Sequence, residues 1–316
     1  MEESLYRINQ FARKHSGSLG YLALAFGILF LSVSPILVRQ AAAPGVVFSF
    51  YRMILTLAVL TPFQLLSFRK KETRQQIQFD KRLLLFPLAA GFCSAFDHAL
   101  WANAVNKSAI SSATLLNSIS PVWVSLIAVI FLKEKITQKF WFGLILVIAG
   151  ISVISGFFSG GLSAGSMEGN LLAFASSFFY AGYYSFTEVG RRHFSTLNQM
   201  WISLFFCSLT LGITMLVGGY SFTGYSRETY IAFISSSLIC QLGGYFCLTY
   251  ALGKLPATLV SPANEIQPIL SSILAVYLFG EPFGAPQIFG SLAILSGLFL
   301  INQSKALKDN EIRETV

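Results

Sequence analysis

The chain contains an internal repeat with a spacing of 147 residues, and this feature constrains its fold more than any other. The segment around Ala104–Gly150 recurs around Ala251–Gly297. Identical residues in this one register are Ala104/Ala251, Lys107/Lys254, Asn117/Asn264, Pro121/Pro268, Ser125/Ser272, Ala128/Ala275, Val129/Val276, Glu134/Glu281, Phe142/Phe289, Gly143/Gly290 and Gly150/Gly297. Apolar identities arise easily in an apolar sequence, but the Lys, Asn, Pro, Glu and Gly matches do not. The repeat therefore predicts one unit that was duplicated and fused.

The composition predicts that lipid is the solvent of both copies. Hydrophobic residues make up 54% of the 316 residues and charged residues only 11%, against about 25% charged in soluble domains. A helix needs about 20 apolar residues to cross a bilayer. Continuous apolar runs of this kind occur at 19–38, 45–68, 83–105, 109–132, 140–158, 170–190, 198–218, 229–252, 257–279 and 285–302. Because the runs do not alternate in polarity as barrel strands do, we expect an all-α integral membrane protein with ten transmembrane helices.

Five helices in each copy would place the second copy upside down relative to the first. We expect a cytoplasmic segment at 1–18, a first five-helix repeat at 19–158, a second at 169–303 and a cytoplasmic tail at 304–316. Inverted repeats of this kind are typical of transporters, in which a site between the halves opens to either side by alternating access.

The basic residues indicate the orientation. The net charge is +8, and with the N-terminus inside, 18 Lys and Arg residues fall in inside loops against three in outside loops. The positive-inside rule then places both termini in the cytoplasm. The run Arg69–Lys71 is best explained as a topology signal near anionic lipid, so no nucleic-acid partner is expected.

Two blocks of the repeat resemble a known family unit. Residues Ala113–Thr137 with Gly143–Gly150, and Val260–Phe283 with Gly290–Gly297, are similar to the EamA unit of the drug/metabolite transporter superfamily. The likeness extends over about residues 20–303, although Lys133 replaces a Gly and Pro282 replaces a basic residue of the usual pattern. The resemblance implies ten helices, a central cavity lined mainly by the first four helices of each half, and transport of small organic metabolites in a bacterial inner membrane.

Several polar residues lie at membrane depth, where a charge costs about 2.5–3.5 kcal/mol and usually marks a pathway. Asp97, His98 and Trp101 share one sector of the third helix by their i, i+3 and i+4 spacing. We expect them to bind substrate, with Asp97 also exchanging a proton; a buried hydrogen-bonded pair, or Asp97 neutralising Arg52, is the alternative. Arg52 either snorkels to the interface or anchors a substrate carboxylate.

The ninth helix supplies a second group of polar candidates. Glu265 lies between Pro262 and Pro268, and two prolines bend a helix and free backbone groups. We expect Glu265 to bind substrate and to couple protons. Asn264 and its repeat partner Asn117 are expected at the same site, with interhelical hydrogen bonding as the alternative.

Tyrosines and one glutamine complete the predicted site. Tyr180 and Tyr184 are spaced to share one face of the sixth helix, and Gln241 and Tyr245 lie in the eighth helix. Tyrosine rings offer cation–π contacts to an amine, but they also serve as interface anchors. By contrast, Glu134 and Glu281 at helix ends, and all four cysteines, are interpreted as structural.

These features favour a secondary transporter of a small organic metabolite. Acidic groups together with one Arg suggest an amino acid or related zwitterion. The chain has no phosphate loop, no HExxH and no GxSxG motif, and we expect no cofactor and no metal. An intramembrane enzyme acting on a lipid-like substrate and a channel remain the alternatives, and the sequence leaves a homodimer open.

Overall fold

A computed structural model describes residues 18–68, 82–123, 126, 138–154, 167–255, 260, 263–264, 266–281 and 284–314. This part of the chain is helical and contains no β-strand. We label its helices α1 (Ser18–Ala41), α2 (Gly45–Phe68), α3 (Leu85–Lys107), α4 (Ile110–Asn117), α5 (Gln138–Ile154), α6 (Met167–Arg191), α7 (Thr196–Val217), α8 (Arg227–Leu252), α9 (Ile266–Phe279) and α10 (Ala285–Glu314).

Four helices of the described part, α1, α2, α7 and α8, are long and apolar enough to cross a membrane by length and composition. Shorter apolar helices lie at Gln138–Gly150, Ile266–Phe279 and Ala285–Ile301. The prediction of an all-helical protein is confirmed for the described residues, whereas ten membrane crossings stay a prediction.

Two elements differ from the predicted spans. The fourth span was expected to run unbroken over 109–132, but α4 ends at Asn117 and a turn at 118–119 precedes Pro121. Pro121 has no N–H to bond the carbonyl of Asn117 four residues before it, and its ring clashes with that carbonyl, which explains a break at this point. At the other end of the chain, α10 continues to Glu314 instead of ending near 302. The apolar run marks only the part of this helix suited to lipid, and the helix continues beyond it into a charged segment.

The outside of the molecule is apolar and much of the inside is polar. Large hydrophobic side chains such as Leu216, Val217 and Tyr277 are exposed, while Arg52, Asp97 and many serines are buried. A soluble protein shows the reverse distribution. The arrangement is that of a protein surrounded by lipid, with polar groups turned toward the interior.

Helices α5 and α10 cross at glycines. A Cβ added to Gly143 would lie 2.6 Å from the carbonyl oxygen of Gly297, and one added to Gly150 would lie 2.6 Å from that of Gly290. Backbone therefore meets backbone at both points, which is the close packing that small residues permit within a membrane.

Replacing Gly150 with alanine should destabilise the protein by about 1–3 kcal/mol, the usual cost of overpacking a tight contact. The new methyl group would meet backbone, which cannot move aside as a side chain can. Gly212→Ala is the matched control, because its nearest neighbour is the edge of the Phe50 ring at 3.3 Å. The check is the melting temperature in detergent, and equal values for both variants would contradict the expectation.

The two ends of the bundle are joined by different contacts. At the end where α1 finishes, here called the Arg39 end, Arg39 donates hydrogen bonds to the carbonyls of Val105 and Ser108. At the opposite end, called the Arg191 end, Arg191 donates to the carbonyls of Thr249 and Phe194. Each arginine thus binds the last carbonyls of a neighbouring helix or turn.

Candidate functional site

A polar cavity lies between α1, α2, α3, α4, α6, α8 and α9. Its walls are formed by Leu31, Ser34, Arg52, Asp97, His98, Trp101, Asn117, Tyr180, Tyr245 and Gln267. The open volume is about 20 Å³, enough for one or two water molecules and too small for a metabolite. Binding a metabolite here therefore requires the walls to move apart.

Arg52 is the most buried large side chain of the cavity, with 1% of its surface exposed. Its Nε donates to Gln241 Oε1 at 3.0 Å and its Nη1 to Ser34 Oγ at 2.8 Å. The guanidinium carbon lies 5.4 Å from the centre of the Tyr245 ring. The side chain therefore points inward, and the snorkelling alternative is wrong.

The charge of Arg52 is incompletely satisfied. Among the described residues, its Nη2 has no hydrogen-bond partner, and no carboxylate lies within 4.0 Å of the guanidinium. The alternative in which Asp97 neutralises Arg52 by direct contact is therefore wrong for this conformation. A buried charge without a counter-ion is costly, so the site is suited to an anionic group from outside the chain.

Asp97 and His98 form a second buried centre, as their positions in the sequence predicted. Asp97 Oδ1 accepts a hydrogen bond from Asn117 Nδ2 at 2.9 Å, and Asp97 Oδ2 lies 3.3 Å from His98 Nδ1. His98 Nδ1 also lies 3.0 Å from the Ser94 carbonyl oxygen, which identifies this nitrogen as the protonated one. Neutral His98 thus holds one edge of the Asp97 carboxylate.

Aromatic rings cover the side of the cavity between Arg52 and Asp97. Tyr245 lies with its ring centre 5.3 Å from that of its repeat partner His98 and 5.7 Å from that of Tyr183. The hydroxyls of Tyr180 and Tyr184 are 3.0 Å apart, and Tyr180 lines the cavity while Tyr184 supports it from behind. The rings give a cation an aromatic surface close to a carboxylate.

The matched asparagines do not meet each other, but both bind α6. Asn117 Nδ2 donates to Ser176 Oγ at 2.8 Å, and Asn264 Nδ2 donates to the Tyr180 hydroxyl at 3.4 Å. Asn264 is buried and its Oδ1 has no partner, so it keeps an acceptor free. Glu265, the predicted coupling residue beside it, lies outside the described residues.

A π-helical segment, Ser236–Tyr245, interrupts α8 and carries Gln241 and Tyr245. Sequence reasoning missed it. π-Segments are rare and often occur at functional sites, because the wider turn redirects side chains. Gly244 permits close approach of α1 here, since a Cβ on it would lie 2.8 Å from Leu31 Cδ2. The segment places Gln241 Oε1 3.0 Å from Arg52 Nε, while Ser34 binds Nη1 of the same guanidinium.

Serines were also missed as site residues. Ser34, Ser94 and Ser176 bind Arg52, His98 and Asn117. The chain is rich in serine, so neither spacing nor composition distinguished these three. Only Ser94 had a signal, because it lies on the same helix as Asp97 and His98.

The residues that we interpreted as structural behave as expected where they are described. Glu281 contacts Arg39 at 3.4 Å and accepts the backbone N–H of Ile110 at 3.0 Å, so it caps α4. The cysteines are unpaired, and no group of metal-ligating side chains occurs in the part of the chain that the structure describes. Glu134 lies outside that part.

Known proteins resemble the chain in sequence and in fold. The EamA-like transporter family matches residues 18–156 and 167–303. An uncharacterised transporter of Methanothermobacter thermautotrophicus is 23% identical over 245 residues, covering 74% of this chain and 68% of that protein. S-adenosylmethionine uptake transporters of Rickettsia bellii and Rickettsia conorii are 22% and 23% identical, covering 84% and 81% of this chain and 86% and 83% of theirs.

A solved crystal structure shares the fold, with a TM-score of 0.59 and 16% identity over 91% of this chain and 96% of the other. Together with the apolar exterior, these matches define a multi-pass membrane protein of the transporter class. The chain belongs to the EamA-like transporter family, within the drug/metabolite transporter superfamily, and its substrate is a small molecule.

Proposed function

We propose that this protein is a secondary active transporter of a zwitterion that carries an α-amino-acid group, and that it works by alternating access. The observation that carries this proposal is the unpaired Nη2 of buried Arg52 in the same cavity as the Asp97 carboxylate. The substrate carboxylate would bind the guanidinium, which forms paired hydrogen bonds with such a group. The substrate ammonium would lie against Asp97 and the Tyr180 and Tyr245 rings.

The crossing of α5 and α10 supports two inverted repeats. In the register of 147, Gly143 corresponds to Gly290 and Gly150 to Gly297. Gly143 contacts Gly297 and Gly150 contacts Gly290, so each glycine meets the counterpart of the other. Such reciprocal contacts are what a two-fold axis produces. The two separate family matches, 18–156 and 167–303, agree with this division.

The membrane orientation and the proton coupling are both proposed from charged residues. We place both termini and the Arg191 end in the cytoplasm of a bacterial inner membrane, because basic residues are concentrated on that side. Asp97, and Glu265 beyond the described residues, would take up and release the coupling proton.

A thermal-shift screen of the purified protein tests the substrate class. The compounds are the amino acids, their decarboxylated amines and deaminated acids, and S-adenosylmethionine, since two relatives are named for that zwitterion. A ligand at 100 times its Kd raises stability by about 2.7 kcal/mol. We expect stabilisation only by compounds with both charges. Stabilisation by the amines or the acids alone would refute the zwitterion.

Transport itself distinguishes this proposal from the rival classes. Labelled substrate should enter proteoliposomes chemically unchanged and should exchange with unlabelled substrate inside. A channel gives no such counterflow, and an enzyme returns an altered compound. Either of those results would contradict the transporter proposal.

Glu281→Gln is expected to favour opening at the Arg39 end. The change removes the ion pair with Arg39 and weakens the cap on α4, contacts worth about 0.5–2 kcal/mol. A cysteine introduced at Asn117 should react with a membrane-impermeant maleimide roughly 2- to 30-fold faster in this background, as that energy implies. Glu168→Gln is the control. Glu168 forms an ion pair with Lys107 at the same end, as Glu281 does with Arg39, but Glu168 is exposed. Equal rates in the two backgrounds would show that Glu281 does not hold this end closed.

A further inference from the structure

A second small cavity lies beside the binding cavity, between α3, α6, α7 and α8. It is lined by Ser94, Tyr183, Thr187, Gln199, Met200, Ser203, Leu204, Cys207, Gln241 and Thr249. Its open volume is about 10 Å³, which is the space of one water molecule. The transport cycle proposed above does not involve this second cavity.

The second cavity extends from the binding cavity toward the Arg191 end. On α6, Thr187 lies two turns beyond Tyr180, and on α8, Thr249 lies two turns beyond Gln241. On α7, Gln199 is in the first turn after the Arg191 end. The cavity thus occupies the stretch of the bundle between the binding cavity and that end.

Two side chains of the second cavity contact residues of the binding cavity. Gln241 lines the second cavity and accepts a hydrogen bond from Arg52 of the first. Ser94 lines the second cavity, and its Oγ lies 3.4 Å from His98 Nδ1, which adjoins Asp97. Polar groups therefore continue from Asp97 through His98 and Ser94 into the second cavity.

The second cavity also contains a buried polar atom that has no hydrogen-bond partner among the described residues. This atom is Gln199 Oε1, whereas Thr187 Oγ1 has only a contact with Tyr183 on the same helix; Gln199 and Thr187 are both 1% exposed. A buried polar atom left without a partner costs about 1–3 kcal/mol, and in most proteins an ordered water removes that cost. Space for one water and several polar groups around it are the two conditions for such a site.

We propose that the second cavity is a hydration site that relays protons between the Arg191 end and Asp97. This inference rests on the proposed proton coupling. A proton from water at the Arg191 end is passed to the bound water, which gives a different proton to Ser94 Oγ. Ser94 gives its own hydroxyl proton to His98 Nδ1, 3.4 Å away, as the Nδ1 proton moves to Asp97 Oδ2, 3.3 Å away. The ionised carboxylate becomes a neutral carboxylic acid, and the water, Ser94 and His98 are regenerated.

Protons can use this route whereas substrate cannot, because the apolar side chains of Met200, Leu204 and Cys207 narrow it to the width of a water. The charged and titratable groups near Asp97 come from five of the described helices around it. They are Cys93 and His98 on α3, Arg52 on α2, Tyr180 and Tyr183 on α6, Cys207 on α7 and Tyr245 on α8. Of these, Tyr183 and Cys207 line the second cavity and Arg52 does not, so proton entry from that side does not require Arg52 to move.

Radiolytic hydroxyl-radical labelling tests the hydration directly and needs no substrate. Bound water is converted to hydroxyl radicals in place, so Met200 and Cys207 should be oxidised although they are only 4% and 1% exposed. Met215, on the same helix and 0% exposed, does not line the cavity and is the internal control. Labelling of Met200 no greater than that of Met215 would overturn the proposal.

Infrared spectroscopy after a pH jump tests the relay. The carboxyl band that disappears in Asp97→Asn reports protonation of Asp97. The double variant Thr187→Val with Gln199→Leu should slow the appearance of this carboxyl band roughly tenfold. The pH midpoint of the band should stay the same, since a purely structural change would shift that midpoint. Ser208→Ala is the matched control, because Ser208 Oγ is buried and unpartnered on α7 but outside the cavity.

The two possible failures are distinguishable. If no carboxyl band depends on Asp97, the proposed proton coupling at this residue fails. If the band is present but its rate is the same in the double variant and in Ser208→Ala, coupling stands and the relay is refuted.

Discussion

Arg52→Gln should weaken substrate binding by roughly 10- to 150-fold, because a hydrogen bond to a charged group is worth about 1.5–3 kcal/mol. The same change should lower the melting temperature little. Glutamine retains a donor for Ser34 or Gln241, and it removes a buried charge that has no counter-ion among the described residues. A large loss of binding with a small loss of stability is typical of a residue retained for function.

The measurement is the ligand-induced rise in melting temperature, with a compound found in the screen, for the wild type and the variant. Arg192→Gln is the matched control, since Arg192 is exposed just past the end of α6 and its guanidinium pairs with Glu188. Arg52→Lys adds a second comparison, because it keeps the charge but not the planar pair of donors. Its affinity for the ligand should lie between that of the wild type and that of Arg52→Gln. An unchanged ligand response in Arg52→Gln would show that Arg52 does not anchor the substrate.

Asp97→Asn should abolish accumulation of substrate driven by a pH gradient, while exchange across the membrane continues at saturating substrate with a weaker affinity, because the amide no longer attracts the substrate ammonium. An amide has the shape of a carboxylate and can still accept the hydrogen bond from Asn117, but it cannot take up a proton. A gradient of about one pH unit stores 1.36 kcal/mol, so one coupled proton supports about tenfold accumulation. The variant should therefore only equilibrate its substrate.

Proteoliposomes with an imposed pH gradient provide the measurement, and counterflow in the absence of a gradient shows that the variant is folded and binds. Glu188→Gln controls for loss of a carboxylate, because Glu188 is exposed at the Arg191 end. If Asp97→Asn accumulates substrate as the wild type does, Asp97 is not the coupling residue and the role would pass to Glu265.

Much of the predicted site could be found in advance because charged and amide groups are rare at membrane depth. Arg52, Asp97, His98 and Asn117 were singled out on that ground, Trp101 by its spacing from Asp97 and His98, and Tyr180 and Tyr245 as aromatic rings for a cation. All seven line one cavity. Two outcomes could not be predicted. A long arginine side chain reaches either the interface or the interior from the same Cα position, and only its neighbours, Ser34 and Gln241, decide which.

The local geometry of α8 was equally inaccessible to sequence reasoning. The apolar run over 229–252 predicted one regular helix, and the helix is present, but its π-segment changes which residues face the cavity. A π-turn is stabilised by its surroundings, here the close contact of Gly244 with Leu31, and not by an intrinsic preference of its residues.

The sequence by itself determined that this chain is helical, surrounded by lipid and similar to a transporter family, and it predicts a duplicated unit. Those properties follow from the composition and pattern of many side chains. Each segment has them wherever it lies in the tertiary structure. The tertiary structure alone decided that Arg52 turns inward and keeps a free donor, that Asn117 holds Asp97, and that Thr187 and Gln199 meet at a second cavity. These pairings join residues far apart in the chain, so they depend on how the helices pack and on no local pattern.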